Sequence, residues 1–347
     1  MNLRIPGGPV AVSVGSFPGI DPAEPVRIMS GENPALPSVP ELPGRGPGGE
    51  MIGRTLGLLS QVAPEFAGET TPTGWRLAGR VRDAGNRAMR RAASWLAQDL
   101  DVAEQGYAGA PAVKVQVAGP WTLAGSVDLP SGHRVLADPG ALRDLLAAYP
   151  DAVSRLAGEV RRRWPAAVVQ LDEPLLPQVL AAAIPTPSGM DRYRAPAPDA
   201  VRDGLRRASA AVRAQGASIL IHCCALPAPV PLLRSVGADG LSLDLTGQRV
   251  DGAGGQDEEA LGELLEAGEY LVAGVVRTTL DGPAEPAADT VRRVMALLNR
   301  LGIGLDTVSD QLAVSTACGL AGSSPDGARR STIRVHGVAS LLAGEVA

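Results

Sequence analysis

Short apolar runs alternate with longer amphipathic segments along most of the chain, and this alternation predicts the architecture. The runs Ala11–Phe17, Ala112–Ala118, Ala167–Asp172, Ser218–Cys223, Gly240–Leu245, Tyr270–Val276 and Leu312–Ala317 are rich in Val, Ile and Leu. Strands that are apolar on both faces suit a parallel sheet covered by helices. Between them, Arg80–Gln105, Leu142–Arg163, Pro198–Gln215, Glu258–Ala267 and Asp289–Leu301 repeat apolar residues at helical spacing, and Gly327–Ala343 reads as a closing helix. The strand–helix rhythm predicts one α/β domain over residues 1–347, with no internal repeat.

A single (β/α)8 TIM barrel needs an eighth strand. The candidate is Leu36–Leu42, ahead of a helix at Met51–Val62, but it contains Pro37 and Pro40 and makes a poor central strand. An open doubly wound sheet is the alternative. It is disfavoured because no glycine-rich phosphate loop follows the first strand. Two irregular stretches, Gly19–Gly49 and Ile184–Pro198, read as loops over the C-terminal rim of the barrel.

Composition narrows the function classes. Apolar residues make up 45% of the 347, enough for a core without disulfides, and three cysteines, two of them adjacent, do not form a disulfide framework. The net charge is −5, and the basic residues are arginines spread along helices, with Lys114 the single lysine. That balance disfavours a nucleic-acid face, and 3% aromatics offer little for base stacking. Met1–Gly8 lacks the plan of a signal peptide, and no uninterrupted apolar stretch reaches membrane-spanning length. A cytoplasmic protein with no membrane partner is the expectation.

The reactive residues fall at predicted strand ends, where active sites of such barrels gather. Ser16 closes the first strand, Asp172 and Glu173 another, and His222-Cys223-Cys224, Asp244 and Cys318 three more. Residues two apart on a strand share a side, so His222 and Cys224 can face one metal ion while Cys223 turns towards the helices as a core thiol. Imidazole, thiolate and carboxylate are zinc-ligand types, although His222 and Cys318 could also be ordinary strand-end and core residues. Asp172 could serve as a helix N-cap, Ser16 as a turn hydroxyl, and Glu50 as a carboxylate in the first turn of a helix.

Taken in order, these segments resemble the catalytic C-terminal barrel of the cobalamin-independent methionine synthases, and most of all its short, stand-alone core forms. Val14-Gly15-Ser16-Phe17-Pro18 is similar to the family's IGSFP, and Gly119-Pro120 to its TGP. Gln170-Leu171-Asp172-Glu173-Pro174 is similar to its Q-x-DEP, His222-Cys223-Cys224 to its HxC, and Cys318-Gly319-Leu320 to its CGL. Leu243-Asp244 stands where the family ends a strand with a zinc carboxylate. The resemblance implies a zinc cofactor held by His222, Cys224, Asp244 and Cys318, and transfer of a methyl group to the thiol of L-homocysteine to give methionine. It implies that the substrate ammonium is met by Asp172, the candidate catalytic residue, and by Glu50. Its carboxylate would be met by Ser16 and the backbone near Val14.

Three departures bear on the methyl donor and on the metal. The full-length family has an N-terminal barrel that helps to bind a polyglutamylated folate, which this sequence does not contain. The zinc carboxylate is Asp244 where the family has Glu, and Val275–Asp281 lacks the family's histidine. Both methyltetrahydrofolate and methylcobalamin or a corrinoid protein stand as donors, with the corrinoid favoured because methyl leaving cobalt needs no proton. The competing functions are methylation of another thiol, a decarboxylase like uroporphyrinogen decarboxylase, and a non-catalytic zinc-binding barrel.

Overall fold

The computed structural model describes residues 8–32, 35–78, 83–248, 255–278 and 285–346, with backbone alone at 83–86. Seven strands form one parallel sheet: β1 (Val10–Ala11), β2 (Val113–Ala118), β3 (Ala167–Asp172), β4 (Ser218–Cys223), β5 (Gly240–Asp244), β6 (Tyr270–Val276) and β7 (Leu312–Thr316). Their order is β1-β7-β6-β5-β4-β3-β2, so consecutive strands from β2 to β7 lie side by side and the sheet curls. The expected eighth strand is not one. Its middle makes two isolated bridges, Ser38 to Lys114 on β2 and Glu41 to Ser16 beyond β1. Val39 donates to the Lys114 carbonyl (2.7 Å) and Glu41 to that of Gly15 (3.1 Å), while Pro37 and Pro40 have no N–H to extend the ladder. An eight-stranded barrel thus reduces to a curled seven-stranded sheet with this segment laid between its two edges.

Helices cover the outer face, among them Met51–Leu59, Asp83–Gly106, Pro139–Arg163, Pro198–Ala214, Glu258–Glu266, Ala287–Leu301 and Pro325–Val346. The Gly19–Gly49 stretch is not all loop, because Ala23–Glu32 is a helix that buries Val26, Ile28 and Met29. A small second sheet joins Gly68–Thr71, Gly74–Leu77 and Val127–Asp128, which the apolar pattern did not announce. No helix among the described residues is long and apolar enough to cross a membrane.

Alternation along the strands divides the core in two. Val113, Val115, Val117, Ile219, Ile221, Leu241 and Leu243 pack outward with the helices, and Cys223 is among them as expected. The inner face is graded along its length. Val12, Leu36, Val168, Leu220, Tyr270, Val272 and Ala313 form an apolar plug at one end. Above it come the buried polar residues Lys114, Gln116, Gln170, Ser242 and Ser315. Asp172 and His222 follow at the C-terminal ends of β3 and β4. The side on which Asp172 and His222 lie is therefore the C-terminal rim, as the strand assignments predict.

Candidate metal and substrate site

The DEP segment assigns different work to its two carboxylates. Glu173 is fully buried and accepts hydrogen bonds from Trp121 N (3.0 Å), Thr122 N (2.8 Å) and Thr122 Oγ1 (2.8 Å). It caps the helix Pro120–Ser126, which Pro120 starts with an amide-free first position. A Cβ on Gly119 would lie 2.3 Å from Glu173 Oε1, so the Gly-Pro pair and this carboxylate form one packed unit. Burial raises the Glu173 carboxyl to about 7 against the pull of those donors.

Asp172 is left free to face inward. Its Oδ1 accepts from Gln170 Nε2 (2.7 Å), which also donates to the Val14 carbonyl (3.1 Å). Lys114 Nζ donates to the same carbonyl (2.8 Å) from a fully buried position. Burial raises the Asp172 carboxyl, opposed by His222, the Gln170 bond and Lys114. Burial also lowers the Lys114 ammonium to about 7, opposed by Asp172 and Glu41. One connected set of polar groups therefore sits under the bend at Val14-Gly15-Ser16.

Beside Asp172, one donor atom from each of His222, Cys224 and Cys318 lies within 4.8 Å of the others. The two sulfurs are 3.3 Å apart. His222 Nδ1 contacts the Ser242 carbonyl (3.1 Å) and hydroxyl (3.0 Å), an arrangement that fixes the ring and leaves Nε2 as the outward lone pair. Nε2 is buried and has no hydrogen-bond partner. The Cys318 thiol is driven down to about 4, first by the hydrogen bond with Cys224 and further by His222, and the Cys224 thiol is raised in return. Burial works against a charged His222, but the adjacent Cys318 sulfur and Asp172 carboxylate outweigh this and raise it. An orphaned imidazole nitrogen aimed at two adjacent sulfurs fits a thiophilic divalent ion such as zinc.

These groups open on a cavity of about 90 Å³, lined also by Val14, Ser16, Glu41, Met51, Gln116, Asp172, Pro174 and Gly319. Ser16 stands where a Cβ on Gly319 would come within 1.9 Å of its hydroxyl, so glycine at 319 is what lets that hydroxyl lie over the CGL turn. Val14, Ser16, Asp172, His222, Cys224 and Cys318 are thus brought together as the sequence suggested. Two residues are not. Glu50 accepts from Ile52 N (2.7 Å), Gly53 N (2.9 Å) and Trp75 Nε1 (2.6 Å), so its carboxylate caps its own helix and does not line the cavity. Asp244 Oδ1 accepts from Thr246 N (2.8 Å) and Thr246 Oγ1 (2.7 Å), and Asp244 stands outside the three-donor group.

Glu41 is the residue that sequence reasoning missed. It is buried, lines the cavity, and leaves Oε2 without a hydrogen-bond partner, with Arg54 Nη1 at 4.0 Å. Burial raises its carboxyl to about 8, opposed by Arg54 and reinforced by Asp172 and Glu50. The available signal was the one charge, near the end of an otherwise uncharged, Pro-rich segment, Leu36–Leu42.

No protein-family model and no curated protein matches the chain. Two solved structures share its fold. One is a proposed vitamin-B12-independent methionine synthase from Listeria monocytogenes, with 13% identity, TM-score 0.54 and 98% of each chain covered. The other is a B12-independent methionine synthase from Shewanella sp. W3-18-1 in complex with selenomethionine, with 15% identity, TM-score 0.52, and 72% of this chain and 67% of that chain covered. At these identities the likeness is one of fold: a helix-covered, curled parallel sheet of the kind on which those proteins are built.

Proposed function

We propose that this protein is a metal-dependent S-methyltransferase that converts an amino-acid thiol, homocysteine, to its methyl thioether, methionine. The observation that carries the proposal is one cavity holding a three-donor His/Cys/Cys group, with an orphaned His222 Nε2, beside the buried carboxylates Asp172 and Glu41. Zinc bound there would hold a substrate thiol as its thiolate at neutral pH. Asp172 and Glu41 supply the negative charge that an ammonium group requires, and Ser16 with the backbone at Val14 supplies polar groups for a carboxylate. The Shewanella protein of the same fold, in complex with selenomethionine, supports an amino acid of this class. A decarboxylase for a poly-acid is disfavoured, because the cavity is lined with carboxylates and, among the described residues, with no arginine.

Among the three histidines, only His222 lines the cavity. His133 Nδ1 contacts Tyr193 Oη (3.3 Å) and His336 Nδ1 the Glu32 carbonyl (2.8 Å). The segment Val275–Asp281 contains no histidine, and its residues 279–281 lie outside the described residues. A methyl group leaving a folate nitrogen needs general-acid help typically worth about 10²–10⁴-fold, whereas methyl leaving cobalt needs no proton. Methylcobalamin is therefore the favoured donor. The test is zinc content, followed by methionine formation from homocysteine with methylcobalamin and methyltetrahydrofolate in parallel. Zinc-loaded protein that makes no methionine with either donor would leave a non-catalytic metal-binding barrel.

Asp172→Asn is expected to weaken homocysteine binding by about 2–5 kcal/mol while zinc content stays unchanged, since it leaves a buried ammonium short of a partner. Calorimetry also reads the proton balance. Glu41 is largely protonated in the free protein below about 8, and an incoming cation favours its ionised form, so binding at pH 7 should release a proton. Affinity should rise with pH towards 8 and level above it, and Glu41→Gln should flatten that rise. Equal affinity in wild type and Asp172→Asn would remove Asp172 from the site.

A further inference from the structure

On the proposed metal site rests a second question, which is what the carboxylate at the end of β5 does. By strand alternation Asp244 follows Ser242 on the inner face, and Ser242 already serves the site by holding His222 Nδ1 at 3.0 Å. Asp244 is engaged elsewhere at both its ends. Its Oδ1 takes two hydrogen bonds from Thr246 and closes a tight side-chain turn. Its backbone carbonyl accepts from Gln256 Nε2 (3.2 Å). Gln256 is buried, and its amide also spans the loop that begins just after Cys224, accepting from Ala228 N (2.8 Å) and reaching the Ala225 carbonyl (3.4 Å). The turn at Asp244 is therefore fastened, through one buried amide, to the loop carrying a sulfur donor.

We infer that Asp244 is a positioning residue and not a metal ligand: among the described residues, His222, Cys224 and Cys318 are the protein donors, and the fourth position is left for the substrate thiol. No Asp244 oxygen belongs to the group of donor atoms within 4.8 Å of one another, so ligation by Asp244 would require the turn held by Thr246 to move, and with it the anchor of the Cys224 loop. Three protein donors with one exchangeable position is the usual plan of a catalytic zinc site, because an incoming ligand then displaces water and no protein group has to leave.

Asp244→Asn discriminates between the two roles. An amide oxygen can still accept from Thr246, so the turn survives, but the anionic donor is gone. Zinc affinity is measured by competition with a chromophoric chelator, and the Co²⁺-substituted protein gives the visible d–d and sulfur-to-metal bands. The expected result is that Asp244→Asn binds zinc within about threefold of wild type with unchanged Co²⁺ bands, while Asp244→Ala and Gln256→Ala each lose about 10–100-fold, the range for groups that orient ligands. Melting curves confirm that each variant is folded, and Thr246→Val, which removes one bond of the turn, should follow Asp244→Ala in direction. A large loss of zinc in Asp244→Asn with shifted Co²⁺ bands, alongside wild-type behaviour of Gln256→Ala, would overturn the inference and leave the methyltransferase proposal standing. A wild-type chain that takes up neither ion would overturn both.

Discussion

Cys224→Ser and Cys318→Ser are each expected to strip the protein of metal, while Cys223→Ser keeps one zinc per chain. The three thiols differ in surroundings more than in sequence position. Cys224 and Cys318 have their sulfurs 3.3 Å apart next to an unpartnered His222 Nε2, whereas Cys223 is fully buried among apolar side chains on the outer face of β4. Burial raises the Cys223 thiol to about 12, which leaves it protonated and unsuited to ligation. A hydroxyl at 224 or 318 offers a harder and far more weakly acidic donor than a thiol, and a site of three protein donors does not tolerate the loss of one. Zinc content by atomic emission on freshly purified protein reads the outcome. Full occupancy in either of the first two variants would remove that sulfur from the site. Loss of zinc in Cys223→Ser with the fold intact would mean that strand alternation has been assigned to the wrong face.

Glu173→Ala is expected to destabilise the whole domain by about 3–5 kcal/mol, the range for breaking a buried, charge-bearing network by removing one partner. Trp121 N, Thr122 N and Thr122 Oγ1 would be left as buried donors facing a hole. The cap adjoins the end of β4, because Glu173 N donates to the His222 carbonyl (2.8 Å), a backbone bond that the Ala variant keeps. Gly119→Ala should reproduce part of the loss by driving a methyl group into the same carboxylate. Urea unfolding monitored by tryptophan fluorescence measures both. A shift below about 1 kcal/mol for Glu173→Ala would mean that water replaces the carboxylate without strain.

The strands were legible because burial on both faces leaves a dense apolar signature, and six of the seven begin within one residue of the expected position and end within one. β1 was the exception. It is only Val10–Ala11, because after Val12 the chain bends away from β7 and pairs instead with the Ser38–Glu41 segment. The pairing of His222 with Cys224 was legible for a local reason, since spacing by two on a strand places them on one face. Which glutamate faces the cavity was not. Glu50 stands immediately before a helix and Glu41 between two prolines, and nothing local says which of them reaches a cavity formed by strands distant in sequence. The N-cap requirement of Met51–Leu59 decides for Glu50, and the bridge at Glu41 decides for the other. The helix Ala23–Glu32 was hidden by Pro25 and Gly31, residues that break helices in their interiors but are tolerated near the ends. The Asp244 turn was invisible because it depends on Thr246 and Gln256, neither of which belongs to any motif.

Lys114 gives the folded state a built-in reporter. Every other basic side chain is an arginine, so a lysine-specific protease has a single peptide bond to cut, and that bond lies inside β2. Its recognition side chain is wholly enclosed by the sheet, with the ammonium bonded to the Val14 carbonyl and the backbone paired on both sides. Cleavage into two fragments of about one-third and two-thirds of the chain therefore counts openings of the sheet itself and is blind to fraying of loops or outer helices. The residue that balances charge beneath the site is also the one whose exposure marks the loss of the fold.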